Sequence, residues 1–200
     1  MANGVIGIMG GTFNPIHLGH LELIKAAHKQ FDLNKILVMP SGTPVYKDQS
    51  LIVSATHRCN MVELAIKDYN YMELSTIEID RKGNTYTADT LRQIGNDYDK
   101  IYFIIGADSL FAITDWYKPQ YICANCHLLC ANRGEYEIEE LNRQKNLLVS
   151  KYNAKIDFIK CESIPISSTE IRNRLKKHES IEDMVGRDVE QYILDNNLYI

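Results

Sequence analysis

The sequence predicts an α/β fold, an open and mostly parallel sheet with helices on both faces. Three observations predict it. Short runs of almost uninterrupted apolar and β-branched residues recur along the chain; longer stretches with helical spacing separate them; turn-forming residues close the runs. Strands that are apolar on both faces belong to sheets buried under helices, and βαβ alternation makes such sheets parallel. With 200 residues and neither linker nor internal repeat, the chain is expected to form a single domain over residues 1–200.

The elements follow in order. "VIGIM" (5–9) reads as the first strand, and "PIHLGHLELIKAAHKQF" (15–31) as a helix with Leu18, Leu21 and Ile24 on its inner side. Pro15 presets φ for the turn into that helix and Asn14 is placed to cap it. "KILVMP" (35–40) is the second strand, followed by the polar stretch "SGTPVYKDQS" and the helix "THRCNMVELAIKD" with Thr56 as N-cap. "MELSTIEI" is strand-like, "TADTLRQIGND" helical, and "KIYFIIGADS" another buried strand ending at Gly106. One or two helices are expected around Trp116, then strands at "HLLCANR" and "KIDFIKC", then the helices "STEIRNRLKK" and "GRDVEQYILDNN". Open sheets of this kind bind ligands at the carboxyl ends of their strands. Gly10, Gly11, Ser41 to Lys47, Gly106 to Asp108, Arg133 and Ile166 to Thr169 are thereby the candidate positions.

Composition narrows the function. A net charge of −4 offers no global basic surface for nucleic acid or an anionic membrane, so an anionic ligand must be held by local cations and backbone N–H groups. No apolar run is long enough to span a bilayer, and the N-terminus reads as a strand rather than an export signal, so a cytoplasmic location is expected. The five cysteines, Cys59, Cys123, Cys126, Cys130 and Cys161, are expected to be free thiols.

The segment "GGTFNPIHLGH" (10–20) carries the most chemistry. Gly10 and Gly11 let the main chain turn and let a ligand approach the backbone. The following helix aims its N–H groups at the same place. His17 and His20, one turn apart, put two imidazoles on one side, with Gly19 between them. The pattern is neither G-x-G-x-x-G nor a Walker loop, and zinc would need a third ligand that is not evident. Two core histidines beside a tight turn are the plain structural alternative. At the other end of the chain, "PISSTEIR" (165–172) starts a helix. The hydroxyls of Ser167, Ser168 and Thr169 gather at its positive terminus, and Arg172 lies one turn in, suited to fork-like contact with phosphate. Alone this is an ordinary helix start; paired with the N-terminal segment it is far more specific.

Together the two segments resemble the nucleotidyltransferase superfamily with the HxGH signature, a Rossmann-like fold, over the whole chain. That resemblance implies an ATP site made of Gly10, Gly11, Thr12, Phe13, His17, His20, Gly106, Asp108, Ser167, Ser168, Thr169 and Arg172, with His17, His20 and Arg172 catalytic. It also implies Mg²⁺ accompanying ATP, carried chiefly by the nucleotide and water with no protein metal site. Within the superfamily, "NTYTADTL" (84–91) and "IIGADSLFAITDW" (104–116) resemble segments of bacterial nicotinate-nucleotide adenylyltransferases, as does the C-terminal "MVGRDVEQYILDNNLYI". The resemblance implies nicotinate mononucleotide as second substrate, received by Lys47, Tyr86, Thr87, Asp89 and Trp116, whose indole can stack on a pyridinium ring. Four of these, and Asp108, have a structural alternative: a packed aromatic for Trp116, a capping acid for Asp108, a cap and first-turn acid for Thr87 and Asp89, a solvated loop lysine for Lys47.

Two positions depart from the family pattern, Tyr46 where a histidine is usual and Asn14 where aspartate is commoner. Arg58 and Arg133 are weaker phosphate candidates. "CANCH" (123–127) matches a haem-attachment pattern, which without export reads as accidental thiols. The rival functions are phosphopantetheine adenylyltransfer, which should lack the two middle segments; cytidylyltransfer, whose usual R-T-x-G-I-S-T-T ending differs from "IPISSTEIR"; and a non-catalytic nucleotide-binding regulatory module. A homo-oligomer is compatible with the sequence.

Overall fold

A computed structural model describes residues 4–43, 49–132, 136–161 and 165–200. Six strands among them form one sheet in the order β3-β2-β1-β4-β5-β6: β1 (Val5–Gly11), β2 (Lys35–Pro40), β3 (Met72–Leu74), β4 (Lys100–Gly106), β5 (His127–Ala131) and β6 (Lys155–Ile159). Every pairing is parallel, so the sheet is wholly parallel where a mostly parallel one was expected. Period-2 alternation sends neighbouring side chains to opposite faces. Met9, Val38, Ile104 and Leu129 enter one core, closed by α1 (Leu18–Phe31), α2 (Ala55–Ile66), α8 (Ser168–Lys176), α9 (Glu182–Val185) and α10 (Arg187–Asp195). Ile8, Leu37, Phe103 and Leu128 enter the other, under α4 (Thr87–Ile94), α5 (Ala107–Ala112), α6 (Pro119–Asn125) and α7 (Ile138–Tyr152). This double burial is why the strands read as continuous apolar runs.

The topology fixes where a ligand can sit. From β1 the chain crosses to β2 on one side, and β4 later lies on the other, so the strand order reverses between β1 and β4. Connections diverge there and leave a crevice at the strands' carboxyl ends, marked by Gly10, Gly11 and Gly106.

Several local expectations are corrected. The helix after β1 starts at Leu18, not at Pro15, and its N-cap is His17 in extended conformation, whose N–H is accepted at 3.2 Å by Nδ1 of His20. His17 therefore stands at the helix end rather than on it, and Asn14 has other partners. Ser54, not Thr56, caps α2, its hydroxyl accepting the His57 N–H at 3.3 Å. "MELSTIEI" splits into the short strand β3 and the single turn α3 (Ile77–Asp80), because β3 is an edge strand paired on one side over three residues. Gly10 and Gly11 are strand residues, and the positive φ of this turn belongs to Phe13 (φ 48°). Bareness, not backbone freedom, explains Gly11: a Cβ there would lie 3.0 Å from the Phe13 ring. The helix α7 and the turn α9 were not read from the sequence at all.

Candidate active site

Two adjoining cavities open at the crevice. The larger, about 600 Å³, is lined by Gly11, Thr12, Phe13, His17 and His20 from the first loop and helix, by Gly106 and Asp108 after β4, and by Ser167, Ser168, Thr169 and Arg172 from α8. Of the twelve positions expected at the nucleotide, eleven meet here, and Gly10 lines the smaller cavity next door. Thr12, His20 and Gly106 border both spaces, so the two cavities are immediate neighbours.

The two ends of the chain are joined directly. The Ser168 hydroxyl donates to the Pro15 carbonyl at 2.9 Å, and Nη1 of Arg172 donates to the Asn14 carbonyl at 2.8 Å. Nη2 of Arg172 reaches the Thr169 hydroxyl at 3.2 Å, so the guanidinium is held in orientation with donors to spare. Ser167 caps α8 through the Glu170 N–H at 3.1 Å. The imidazoles of His17 and His20 stack with centroids 3.6 Å apart and planes at 29°, and Phe13 meets His20 edge-on at 5.1 Å. His17 is buried and His20 half-buried, so His20 is the ring presented to both cavities. Asp108 lies in the first turn of α5, where a carboxylate suits the helix dipole, and its Oδ1 accepts the Tyr136 hydroxyl at 2.7 Å.

The smaller cavity, about 340 Å³, is lined by Tyr86, Thr87, Trp116 and Tyr117, together with Ser41 and Glu78. Tyr86 and Tyr117 pack at 4.7 Å, and the loop carrying Tyr86 is tied to the end of β2 by the Thr85 N–H to Thr43 carbonyl bond of 3.2 Å. Glu78 is a buried carboxyl whose Oε1 accepts the Thr90 hydroxyl at 2.6 Å; that hydroxyl in turn accepts from Nη2 of Arg81 at 2.8 Å. Burial pushes the Glu78 carboxyl above the usual range, with Thr90 and Arg81 pulling the other way. The Ser41 hydroxyl is buried with no hydrogen-bond partner among the described residues.

One expected site residue among those described is not brought together with the rest. Asp89 pairs with Arg92 at 2.8 Å on the exposed face of α4 and is not among the residues lining either cavity. Tyr86, not Thr87, is the N-cap of that helix. Lys47, with Tyr46 and Arg133, lies outside the described residues. Arg58 is no phosphate ligand. Its side chain is buried at 2 % exposure, and Nε, Nη1 and Nη2 donate to the carbonyls of Val53, Thr12 and Gly42 at 3.3, 2.9 and 3.3 Å. Burial lowers its pKa. It is an internal strut beneath the first loop. Sequence reasoning missed Glu78 and Tyr117 as lining residues; Tyr117 adjoins Trp116, whereas nothing marked Glu78 within a stretch that reads as a strand.

The cysteines are free; Cys123, Cys126 and Cys130 are buried, and burial pushes the Cys130 thiol up to about 12. No group of three His, Cys, Asp or Glu among the described residues could hold a metal ion, and no helix among them is long and apolar enough to cross a membrane.

The comparisons with known proteins agree with this geometry. The model of the cytidylyltransferase-like family matches residues 8–174. A relative from Lachnoclostridium phytofermentans, named "Probable nicotinate-nucleotide adenylyltransferase", is 39% identical over 197 residues, 98% of each chain. The chain belongs to the nicotinate-nucleotide adenylyltransferase family. Another member of that family, from Clostridium botulinum, is 39% identical over 193 residues, 96% of each chain. Among solved structures, the Plasmodium falciparum nicotinic acid mononucleotide adenylyltransferase complexed with NaAD superposes with a TM-score of 0.80 at 24% identity, covering 98% of both chains. At that identity the structural match speaks for the adenylyltransferase fold; the family rests on the closer relatives.

Proposed function

We propose that the chain transfers adenylate from ATP to nicotinate mononucleotide, releasing pyrophosphate and forming the deamido dinucleotide used in NAD biosynthesis. One observation carries the reading of the site. Residues from the two ends of the chain, bonded to each other through Pro15 and Asn14, line one polar cavity that adjoins an aromatic one. A triphosphate suits the first and a flat pyridinium the second.

The chemistry follows from what the residues can do. An oxygen of the mononucleotide's phosphate attacks the α-phosphorus of ATP; the bond from that phosphorus to the bridging oxygen breaks, and pyrophosphate leaves with the electron pair. The attacking phosphate is already ionised, so no general base is needed, and catalysis rests on alignment and on stabilising charge. His17 and His20 would stabilise the α-phosphoryl group. Ser168, Thr169 and Arg172 would hold the departing pyrophosphate, aided by the backbone of Gly10, Gly11, Thr12 and Phe13 and the N-termini of α1 and α8. Asp108 and Gly106 would receive the nucleoside. Ser167 supports the set by capping α8.

In the smaller cavity Trp116 would stack on the pyridine ring, and Tyr86 and Thr87 at the start of α4 would offer donors to its carboxylate. An amide would turn its own N–H₂ toward them, which supports a preference for the acid. Lys47 keeps its proposed role at the substrate phosphate. Asp89 is better read as structural.

The donor set also bears on Mg²⁺. Asp108 is the one carboxylate among the described residues lining the larger cavity, with one oxygen already bonded. That set fits a cation arriving with the triphosphate and its water, with at most Asp108 beside it. Such a cation would supply charge neutralisation for the triphosphate and the departing pyrophosphate.

Incubation with ATP and one acceptor at a time tests the reading. Nicotinate mononucleotide should release pyrophosphate with a higher kcat/KM than nicotinamide mononucleotide, and phosphopantetheine should release none. Turnover with phosphopantetheine alone, or ATP binding without turnover on any acceptor, would replace the proposal by one of its rivals.

A further inference from the structure

The Asn14 side chain makes three hydrogen bonds, none of them to its own helix. Its Nδ2 donates to the Leu51 carbonyl at 2.8 Å, and its Oδ1 accepts the Val53 N–H at 3.1 Å and the Tyr199 hydroxyl at 2.9 Å. Its backbone carbonyl is the anchor of Arg172. One buried residue thus ties together the first loop, the segment 51–53, the helix of Arg172 and the chain near residue 199. Leu51, Ile52, Asn14 and Arg172 all line the larger cavity; Tyr199 does not.

We propose that Tyr199 is a positioning residue for the ATP site, its hydroxyl fixing the Asn14 amide that orients Arg172 and the wall formed by Leu51 and Ile52. This rests on the larger cavity being the ATP site. After α10 the chain bends back through two left-handed residues, Asn197 (φ 50°) and Tyr199 (φ 67°). A bulky residue rarely holds such a φ unless its surroundings impose it. Here the side chain is half-buried and its hydroxyl points at Asn14, close to the guanidinium groups of Arg58 and Arg172. Burial keeps the phenol protonated, and so a donor, in spite of those two cations. The arrangement accounts for asparagine at position 14. An ionised aspartate would accept from Tyr199 and Val53 equally well but would turn an acceptor toward the Leu51 carbonyl.

The consequence for ATP is geometric. Arg172 reaches phosphate only from the orientation set by the Asn14 carbonyl, and that carbonyl is held in place by what the Asn14 side chain bonds. Removing the Tyr199 hydroxyl leaves the packing of its ring but frees one of two bonds at Oδ1.

Tyr192 provides the control. Its hydroxyl, on α10, bonds Nδ1 of His57 at 2.9 Å and Nδ2 of Asn60 at 2.8 Å, in the same core but away from either cavity. Tyr199→Phe and Tyr192→Phe should be compared for thermal stability, for binding of a non-hydrolysable ATP analogue by calorimetry, and for KM of each substrate. Both should fold and lose similar stability. Only Tyr199→Phe should weaken ATP-analogue binding and raise KM for ATP, by about five- to tenfold, with KM for the pyridine nucleotide within about twofold. Asn14→Asp should reproduce the ATP defect, and adding Tyr199→Phe to it should cost less than the separate effects combined. If the two phenylalanine variants bind the analogue alike, the positioning role is wrong although the proposed activity stands. If the unaltered protein does not bind the analogue, both readings fail.

Discussion

Replacing Arg58 by methionine keeps most of the stem's volume and removes the guanidinium. Three carbonyls, those of Thr12, Gly42 and Val53, then lose their donor at bonds of 2.9, 3.3 and 3.3 Å. A hydrogen bond from a charged donor contributes about 1.5–3 kcal/mol, and a buried carbonyl left unpaired costs about 1–3 kcal/mol. Against this, the variant no longer desolvates a cation, a penalty of several kcal/mol for a buried ion. Two of the three bonds are long, so the net expectation is a loss of about 2–4 kcal/mol. For a chain of this size that lowers Tm by roughly 5–15 °C. Denaturant unfolding with an unchanged m-value measures it. Because the Thr12 carbonyl belongs to the loop that lines both cavities, kcat/KM for ATP should fall as well. A methionine variant as stable as the original and fully active would refute the strut; it would mean that desolvation outweighs all three bonds.

Other expectations concern the site and the thiols. Arg172→Lys keeps the charge but loses the fork that spans Asn14 and Thr169, and steady-state kinetics should show kcat/KM for ATP reduced about 100- to 1,000-fold, the usual cost of one oxyanion donor. Trp116→Ala should raise KM for the pyridine nucleotide about tenfold and leave KM for ATP nearly unchanged; equal effects on both would make the indole structural. Glu78 carries a pH signature. Its folded pKa is raised above the ordinary value of 4.5, so the folded state holds the proton longer and its contribution to stability declines as pH rises from that value. Glu78→Gln should therefore gain stability relative to the unaltered protein between acidic and neutral pH, read as a diverging pair of Tm curves. A thiol reagent applied to the native protein should modify Cys59 and Cys161, which are half-buried, before Cys123, Cys126 and Cys130.

What the sequence made legible follows from how local each signal is. β2 and β4 were read to the residue because a doubly buried strand is apolar throughout and ends where the chain must turn. The convergence of His20 with Arg172 was legible through paired motifs and the rule that parallel sheets gather their loops at one end. The start of α1 was misread because Asn14 and Pro15 have the composition of a helix start, while the structure uses Asn14 in long-range bonds to Leu51, Val53 and Tyr199. Arg58 was misread for a related reason. An arginine in a polar helix start usually faces water, and only the tertiary fold supplies three inward carbonyls. Asp89 was assigned to substrate by its neighbours in the motif, but the helical period turns it toward Arg92. The segment 138–152 escaped notice because it buries little, its fully covered apolar positions being Leu141 and Leu148.

The central claim is transfer of the adenylyl group within the crevice between β1 and β4, and following the label of ATP radiolabelled at the α-phosphorus tests it most directly. With nicotinate mononucleotide present, the label should appear in the dinucleotide and none in pyrophosphate, and His20→Ala should slow its appearance by orders of magnitude. Label remaining in ATP, or passing only to free AMP or ADP at a rate indifferent to His20, would contradict the account.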